Sequence, residues 1–376
     1  MRGILTFNPS SDGALAFGRQ IFTPPRPIQQ MEHQLDLLPL WWAEEGDFVL
    51  VHDKDRAERF TADLRHAGIP LPEVTFISWA EPFRKEWAGV AVVPWGWNHT
   101  LRRRLLQWGM SPENLPSETE LDRLRQLSSR QTAALVMREL THQHLSDSFL
   151  GSDMTFVTDE DEAEKLFESQ RPLIFKPPWS SSGKGLIITH SSPTREQRKH
   201  ILHTIHEKGG ILADTYYDKV LDFALEFDTF SGSCRFLAVS VFTTNTQCRY
   251  ESNLVAPEET LRRIFERHGG DMEEMERLIT WYEETFTRLT APHYRGYMGV
   301  DMLLARTPEG IRLHPCVEIN MRGNMGILAH SMAKHHRQSL DSMSPFPLTP
   351  PEARGFQAMV SDGKLSILSH SLKPVH

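Results

Sequence analysis

Short apolar runs alternate with amphipathic stretches through the first third of the chain, and this pattern limits the possible folds most strongly. The apolar runs are FVLVH at 48–52, VTFIS at 74–78 and VAVVPWGW at 90–97, and helix-like stretches occupy 54–67 and 99–108. Strands that are apolar throughout are typical of a parallel sheet with helices on both faces. The pattern therefore predicts a small α/β region at the N-terminus.

The segment GMSPENLPSE at 109–118 combines turn-forming residues with two prolines, which favours a linker. Aromatic residues are distributed differently on its two sides. Seven of the nine tryptophans precede residue 110, whereas all six tyrosines lie between Tyr216 and Tyr297. This asymmetry indicates two separately built regions.

After the linker, the sequence mixes helical and strand patterns. Helices are predicted at 119–140, 159–169, 194–208 and 258–289, and strands at 154–157, 173–176, 186–190, 211–214, within 220–255, and at 298–304 and 311–320. We predict an N-terminal domain over 1–120, a second domain over 121–340 with a lid subdomain at about 150–212, and a tail, 341–376, that packs on the core.

Composition excludes several classes of protein. The 376 residues carry a formal net charge of −8, the wrong sign for general affinity to nucleic acid. The three cysteines are too few and too far apart for a disulfide scaffold or a thiolate zinc site. Neither a signal peptide nor a membrane span is recognisable, so we expect a cytoplasmic protein that does not bind membranes. Glycine spacing in the first region shows no dinucleotide fingerprint.

The loop after the strand LIFK contains groups that phosphate oxygens prefer. Lys176 ends the strand, and the loop that follows it runs through three serines, Gly183, Lys184 and Gly185. A fixed cation, hydroxyl donors and close backbone N–H groups suit phosphate binding. A P-loop is excluded because proline occupies position 178 and glycine follows Lys184. The alternative is a flexible hairpin loop with a solvated lysine.

Two acidic strands form the second candidate site. A turn at 307–310 predicts an antiparallel hairpin in which Glu318 and Asn320 share one face. Counting back from this turn places Asp301 opposite Cys316, one diagonal step from Glu318. Two carboxylates and an amide oxygen suit Mg²⁺. The alternative is a hairpin whose acids face solvent, but an unpaired charge is costly inside the apolar runs GVDMLLA and CVEIN.

Three further polar residues are candidates for substrate contacts. If the strand continues beyond Asn320, Arg322 and Asn324 share its face. The Arg322 guanidinium then lies beside the metal, where it could contact a transferring phosphoryl group. Otherwise Arg322 is a salt-bridge partner. Arg249, in the segment CRYESN, is either a carboxylate clamp or an exposed loop arginine. Trp95 and Trp97 either stack on a ligand or belong to the core, and the core is favoured.

In combination and in this order, the motifs resemble the ATP-grasp superfamily over about residues 125–335. The loop SSSGKG is similar to that of formate-dependent glycinamide ribonucleotide transformylase, whereas GVDM and EINMRGNMG are similar to carboxylate–amine ligases of the D-alanine ligase kind. The resemblance implies an α/β (α+β) ATP-grasp fold preceded by a small Rossmann-like domain. Residues 1–118 carry no motif of a particular member, so the substrate does not follow.

The resemblance also implies roles for individual residues. ATP phosphates would contact Arg130 and Lys176, and the residues that would close over them are Ser181, Ser182, Gly183, Lys184 and Gly185. The hinge backbone that would bind adenine is Leu212, Ala213 and Asp214, and the ribose ligand is Asp222 or, alternatively, Glu226. The metal ligands would be Asp301, Glu318 and Asn320, and Arg322 would steady the acyl phosphate. Catalysis would depend on Lys176 and Arg322.

The implied activity is an ATP-dependent ligase that activates a carboxylate as an acyl phosphate and joins it to an amine. Its cofactors would be ATP and Mg²⁺, with Mn²⁺ as the alternative metal. Its partners would be small-molecule carboxylates and amines, and a homodimer is compatible with the resemblance because enzymes of this fold are often dimers. The alternatives are a small-molecule kinase of the same fold and a non-catalytic nucleotide-binding module.

Overall fold

The structure, a computed structural model, describes residues 2–66, 70–146, 148–180, 183–291 and 293–335, together with three short strands between 346 and 365. Within these residues, no helix combines the length and the apolar character that crossing a membrane requires.

The N-terminal region is a parallel sheet with helices. Its strands are β1 (Gly3–Thr6), β2 (Phe48–Val51), β3 (Thr75–Ser78) and β4 (Ala91–Pro94), and its helices are α1 (Ser11–Phe17), α2 (Arg26–Leu35), α3 (Lys54–His66) and α4 (His99–Trp108). The strands have the order β3-β2-β1-β4, and every neighbouring pair is parallel. All residues of β1 and β2 are buried, as expected for strands enclosed on both faces. The predicted parallel sheet is confirmed.

The early tryptophans belong mainly to the core of this region. Trp87 stacks on Trp108 with ring centroids 5.4 Å apart, and Phe83 packs edge-on against both rings. Trp95 and Trp97 are also buried. The tryptophan asymmetry of the sequence therefore reflects aromatic packing around the first sheet.

The predicted helix at 119–140 is two helices in the structure, α5 (Glu118–Leu127) and α6 (Arg130–His142). Ser117 caps α5 in a capping box, and the Ser129 side chain accepts a hydrogen bond from the Gln131 backbone N–H at the start of α6. Serine is favoured at such caps because its hydroxyl oxygen accepts hydrogen bonds from backbone N–H groups that the helix leaves unpaired. The break places Arg130 in the first turn of a helix.

A small antiparallel sheet follows. Its strands are β5 (Thr155–Val157), β6 (Leu173–Lys176), β7 (Ile187–Thr189) and β8 (Ile211–Thr215), in the order β5-β8-β6-β7, with helices α7 (Glu160–Phe167) and α8 (Arg195–Lys208). Phe167, Phe175 and Ile201 form its separate core. The bounds of these elements, 155–215, are close to those predicted for the lid subdomain, about 150–212.

The largest sheet contains the candidate metal strands. Its strands are β9 (Asp218–Asp228), β10 (Arg235–Thr244), β11 (Tyr250–Val255), β12 (Tyr297–Thr307), β13 (Gly310–Asn320) and β14 (Phe346–Leu348), in the order β13-β12-β9-β10-β11-β14. Its helices are α9 (Glu258–Arg267), α10 (Met272–Thr290) and α11 (Met325–His335). The predicted helix at 258–289 is thus two helices, because Gly269, with a φ of +90°, ends the first and Asp271 caps the second.

The two faces of β9 have different neighbours. Phe223 and Phe227 pack on aromatic rings of α9 and α10, whereas the Glu226 carboxyl lies against α11 at Gly326. Alternation along the strand therefore packs one face on α9 and α10 and directs Asp222, Ala224 and Glu226 to the other.

Pairing between β12 and β13 differs from the prediction. Asp301 lies directly opposite Glu318, not opposite Cys316, because the register shifts between Asp301 and Leu303. Pro315, which has no N–H for the ladder, lies in the shifted stretch. The carboxylates are cross-strand partners, closer than the diagonal that was predicted.

Most of the predicted C-terminal tail, 341–376, lies outside the described residues. Its strand β14 pairs with β11, and the remaining short strands are β15 (Val360–Ser361) and β16 (Lys364–Leu365), which pair with each other.

Candidate active site

Two cavities meet at the Asp301–Glu318 pair. The small-sheet cavity, of about 600 Å³, is lined by residues of the small and the large sheet, and the N-terminal cavity, of about 400 Å³, is lined by the N-terminal region and the large sheet. The residues that line both are Gly183, Phe242, Thr244, Cys248, Asp301 and Glu318. This arrangement lets a group bound in one cavity contact a group bound in the other.

Lys176 lies in the wall of the small-sheet cavity beside an acidic partner. Its Nζ is 3.3 Å from Asp214 Oδ2, and His314 Nε2 is 3.2 Å from the same oxygen. Burial opposes ionisation of Asp214, but His314 and Lys176 outweigh it and lower the Asp214 pKa to about 2. The Lys176 ammonium is therefore held by an anion in a buried position, where a phosphate could replace part of that partner's interaction.

Arg130 connects the loop after β6 to the acidic strand. Its guanidinium donates to the Pro177 carbonyl oxygen at 2.6 Å and to Ser180 Oγ at 2.8 Å, and it is 2.8 Å from Glu318 Oε1. Arg130 is buried and lines the small-sheet cavity. The structure thus brings both predicted phosphate-binding cations to one cavity.

The predicted phosphate loop is only partly described. Ser181 and Ser182 lie outside the described residues. Gly183 has a φ of +70°, and a Cβ there would be 2.5 Å from the Cys248 carbonyl oxygen, so the position requires glycine. Lys184 and Gly185 are exposed and line neither cavity.

The predicted hinge residues lie on β8, a central strand of the small sheet. β8 lies between β5 and β6, and Leu212 pairs with Phe156 on one side and Lys176 on the other. Ala213 is flanked in the same way, so the two ladders use the backbone groups of these two residues. Asp214 pairs with Ile174 of β6. This pairing leaves less of the β8 backbone for adenine than the resemblance implies. Beyond the paired stretch, Tyr216 and Tyr217 line the cavity with Asp214.

Asp222 lies in the small-sheet cavity, whereas Glu226 lines only the N-terminal cavity. The Asp222 carboxyl accepts hydrogen bonds from Thr244 Oγ1, at 2.8 Å, and from Lys219. Burial raises the pKa of this carboxyl. Of the two candidate ribose ligands, only Asp222 shares a cavity with Lys176.

The candidate metal ligands lie at the junction of the cavities. Desolvation, together with the charges of Glu318 and Glu226, raises the pKa of Asp301 well above its usual range. Among the described residues, no group of three or more His, Cys, Asp and Glu side chains could hold a metal ion, so a site here would combine two carboxylates with the Asn320 amide. Opposed carboxylates with an amide oxygen fit a hard divalent cation, which would relieve their repulsion.

Arg322 and Asn324 both line the N-terminal cavity, although β13 ends at Asn320. Arg322 Nε donates to Asp12 Oδ1 at 2.8 Å, which attaches the N-terminal region to the acidic strand. Asn324 Nδ2 donates to Glu226 Oε2 at 2.7 Å, and its Oδ1 accepts from the Ile327 backbone N–H of α11. Arg249, by contrast, is exposed and lines neither cavity.

Sequence reasoning missed several polar residues of these cavities. Ser240, Tyr250 and Asn253 line the N-terminal cavity, and Tyr216 and Tyr217 line the other. The only signal for the tyrosines was their position directly after the apolar strand ILADT. Ser240, Tyr250 and Asn253 lie on β10 and β11. Alternation along these strands predicts which residues share a face, but not which part of the chain packs on that face.

The Glu226 carboxyl is enclosed so tightly that two of its neighbours, Gly299 and Gly326, must be glycines. Its carboxyl accepts from Ser240 Oγ at 2.9 Å, and a Cβ at Gly299 or Gly326 would lie 2.4 or 2.0 Å from its oxygens. Burial raises the pKa of Glu226 to about 7, although the hydrogen bonds from Asn324 and Ser240 oppose this rise.

Gly326→Ala is expected to lower the free energy of unfolding by about 2 kcal/mol, because the added methyl group overlaps the Glu226 carboxyl. Chemical denaturation measures the loss. A double-mutant cycle with Glu226→Ala is the control, since removing the carboxyl frees the space. If the two losses simply add, the overlap is not the cause.

No protein-family model matches this chain, and no curated protein matches it. The chain is similar to solved structures of N5-carboxyaminoimidazole synthetase from Staphylococcus aureus in complex with ADP (12% identity, 88% of this chain and 78% of that chain covered, TM-score 0.41). It is also similar to D-alanyl-alanine synthetase A from Vibrio cholerae (14%, 90% and 93%, 0.42) and to a protein from Archaeoglobus fulgidus described as an ATP-grasp superfamily protein (12%, 93% and 92%, 0.45). Similarity at this level does not assign the chain to a family.

Proposed function

We propose that this protein is an ATP-grasp enzyme, an ATP-dependent ligase that activates a carboxylate as an acyl phosphate and joins it to an amine. One observation carries the proposal. A cavity with two buried cations and a cavity enclosed by the N-terminal region share the Asp301–Glu318 pair. A phosphoryl donor and its acceptor would meet at such a junction.

The small-sheet cavity would hold ATP. Lys176 and Arg130 supply positive charge for the phosphates, and both already lie in the wall. Tyr216 and Tyr217 would border the adenine, and Asp222 would accept hydrogen bonds from the ribose hydroxyls. Asp301, Glu318 and Asn320 would hold Mg²⁺ or Mn²⁺, which supplies further positive charge to the phosphates when bound.

The chemistry requires positioning more than a protein nucleophile. An oxygen of the substrate carboxylate attacks the terminal phosphorus of ATP, and ADP leaves. The amine then attacks the carbonyl carbon, and phosphate leaves as the amide forms. Arg322, in the wall of the N-terminal cavity and held by Asp12, would stabilise the negative charge of the acyl phosphate.

The proposal includes a division of labour along the chain. Residues 1–120 would select the substrate, residues 121–340 would bind the nucleotide, and the small sheet would act as a lid. The lid position is supported by Gly183, which packs on the Cys248 backbone between the two cavities. A cytoplasmic location is part of the same proposal.

The test is an ADP-release screen in which carboxylates are paired with amines in the presence of ATP and Mg²⁺. We expect ADP and phosphate in equal amounts, and only when both substrates are present. ADP without free phosphate, together with a stable phosphorylated product, would instead identify a kinase. Nucleotide binding without ADP from any pair would identify a non-catalytic module and overturn the proposal.

A further inference from the structure

The inference concerns the acceptor in the N-terminal cavity, and it rests on the proposed function. The floor of the cavity is one face of three adjacent strands of the large sheet, on which Asp301, Ala224 and Ser240 lie as cross-strand partners. Its opposite wall comes from the N-terminal region and is apolar apart from Asp12; Phe7, Met31 and Leu38 line it. A ligand that fills this space must expose apolar surface to that wall.

One buried polar group in this cavity is unpaired. Asn253 is 2% exposed, and among the described residues its Nδ2 has no hydrogen-bond partner. Tyr250 donates to Asn253 Oδ1 at 2.7 Å, which fixes the amide with its N–H groups as the available donors. A buried donor without a partner is unfavourable, so an oxygen of a ligand that accepts from it would stabilise it.

The other polar end of the cavity is an acceptor. Glu226 lies two residues along β9 from Ala224, and Ala224 is the cross-strand partner of Asp301. This places Glu226 about 7 Å along the sheet from the level of the reaction junction. A carboxyl group at this position suits the N–H groups of an amine nucleophile.

The distance between the two polar ends sets the length of the ligand. Asn253 is opposite Phe242, and Phe242 is opposite Asp222, so Asn253 is two strands away from β9 and four residues from the level of Glu226. With strands about 4.8 Å apart and residues about 3.4 Å apart, the two backbones are separated by about 17 Å. Long side chains at both ends shorten this span, but the amine and carboxylate of one amino acid remain too close together to reach both.

We propose that the N-terminal cavity binds a short peptide with apolar side chains as the amine acceptor. Its amino group lies toward Glu226 and the reaction junction, and its terminal carboxylate or last carbonyl oxygen accepts from Asn253 Nδ2. The apolar side chains pack on Phe7, Met31 and Leu38. Asn253 is then a specificity-determining residue that distinguishes a peptide from a single amino acid.

The experiment measures binding of leucyl-leucine and of leucine by calorimetry, with a non-hydrolysable ATP analogue and Mg²⁺ present. We expect leucyl-leucine to bind at least tenfold more tightly than leucine. Asn253→Ala should weaken the dipeptide about tenfold and leave leucine unchanged. Asn253→Asp, which keeps the acceptor for Tyr250 and loses the donor, should also weaken the dipeptide. Ser252→Ala, on the opposite face of the same strand, is the matched control.

Equal binding of leucine and leucyl-leucine overturns the inference, as does an Asn253→Asp variant that binds the dipeptide like the native protein. Neither result touches the ligase proposal, which stands on ADP release. Conversely, if no pair of substrates releases ADP, the ligase proposal fails, while tight, Asn253-dependent dipeptide binding still supports this cavity as a peptide site.

Discussion

Lys176→Met is expected to reduce substrate-dependent ADP release at least a hundredfold. Lys176 is one of two buried cations in the small-sheet cavity, and its ammonium would neutralise charge that develops on the transferring phosphoryl group. Loss of one positioned charge contact typically costs about 3 kcal/mol in the transition state. Methionine keeps much of the side-chain length but supplies no charge.

Stability must be separated from activity in this test. Without Lys176, the buried Asp214 carboxylate retains only His314 as a partner among the described residues, and such a loss destabilises folded proteins. The double variant Lys176→Met with Asp214→Asn removes this anion and should regain stability without regaining activity. Lys199→Met, at an exposed position of α8, is the control for loss of a lysine. Native rates of ADP release in Lys176→Met would remove the nucleotide assignment.

Glu226→Gln is expected to flatten the pH dependence of stability. The folded pKa of about 7 lies above the ordinary value of 4.5, so between these values the folded protein binds a proton that the unfolded chain does not. Stability from this group is therefore full below about pH 4.5 and is lost as the pH rises through 7. The total loss is about 3 kcal/mol, at about 1.4 kcal/mol per pKa unit.

Urea unfolding from pH 5 to pH 8, in buffer containing EDTA, tests this expectation. Over this range, the free energy of unfolding of the native protein should fall by up to about 3 kcal/mol more than that of Glu226→Gln. Glutamine can accept from Asn324 and donate to Ser240, so the packing between Gly299 and Gly326 is retained. Glu207→Gln, an exposed position on α8, should leave the slope unchanged. Parallel curves for the native protein and Glu226→Gln would show that Glu226 is ionised well below pH 7.

Local patterns predicted the secondary structure that carries several candidate site residues. The end of an apolar strand placed Lys176, and an antiparallel hairpin with its turn near 308 placed Glu318 and Asn320 on one face. These predictions depend on the period of a strand and on turn chemistry, both of which are properties of neighbouring residues. The break between α5 and α6 was missed because a helical period continues across the two serines that divide the helices.

Other features depend on residues that are far apart in the sequence. The direct opposition of Asp301 and Glu318 follows from a register shift near Pro315, which no count from the turn predicts. The position of Leu212 in the middle of the small sheet follows from the strand order, since β8 pairs on both sides. The strand order determines which backbone groups of β8 are free to contact adenine. The register shift determines the distance between the two carboxylates.

The sequence alone determined the parallel sheet of the N-terminal region, the acidic hairpin and the lysine at the end of its strand, because hydrophobic period and turn residues act over short distances. Only the tertiary structure decided that these parts meet at two cavities, that Asp12 reaches Arg322 across 310 residues, and that Glu226 and Asn253 face one cavity. Packing between distant segments selects which face of each strand is covered, and that choice is not written in the period of the strand itself.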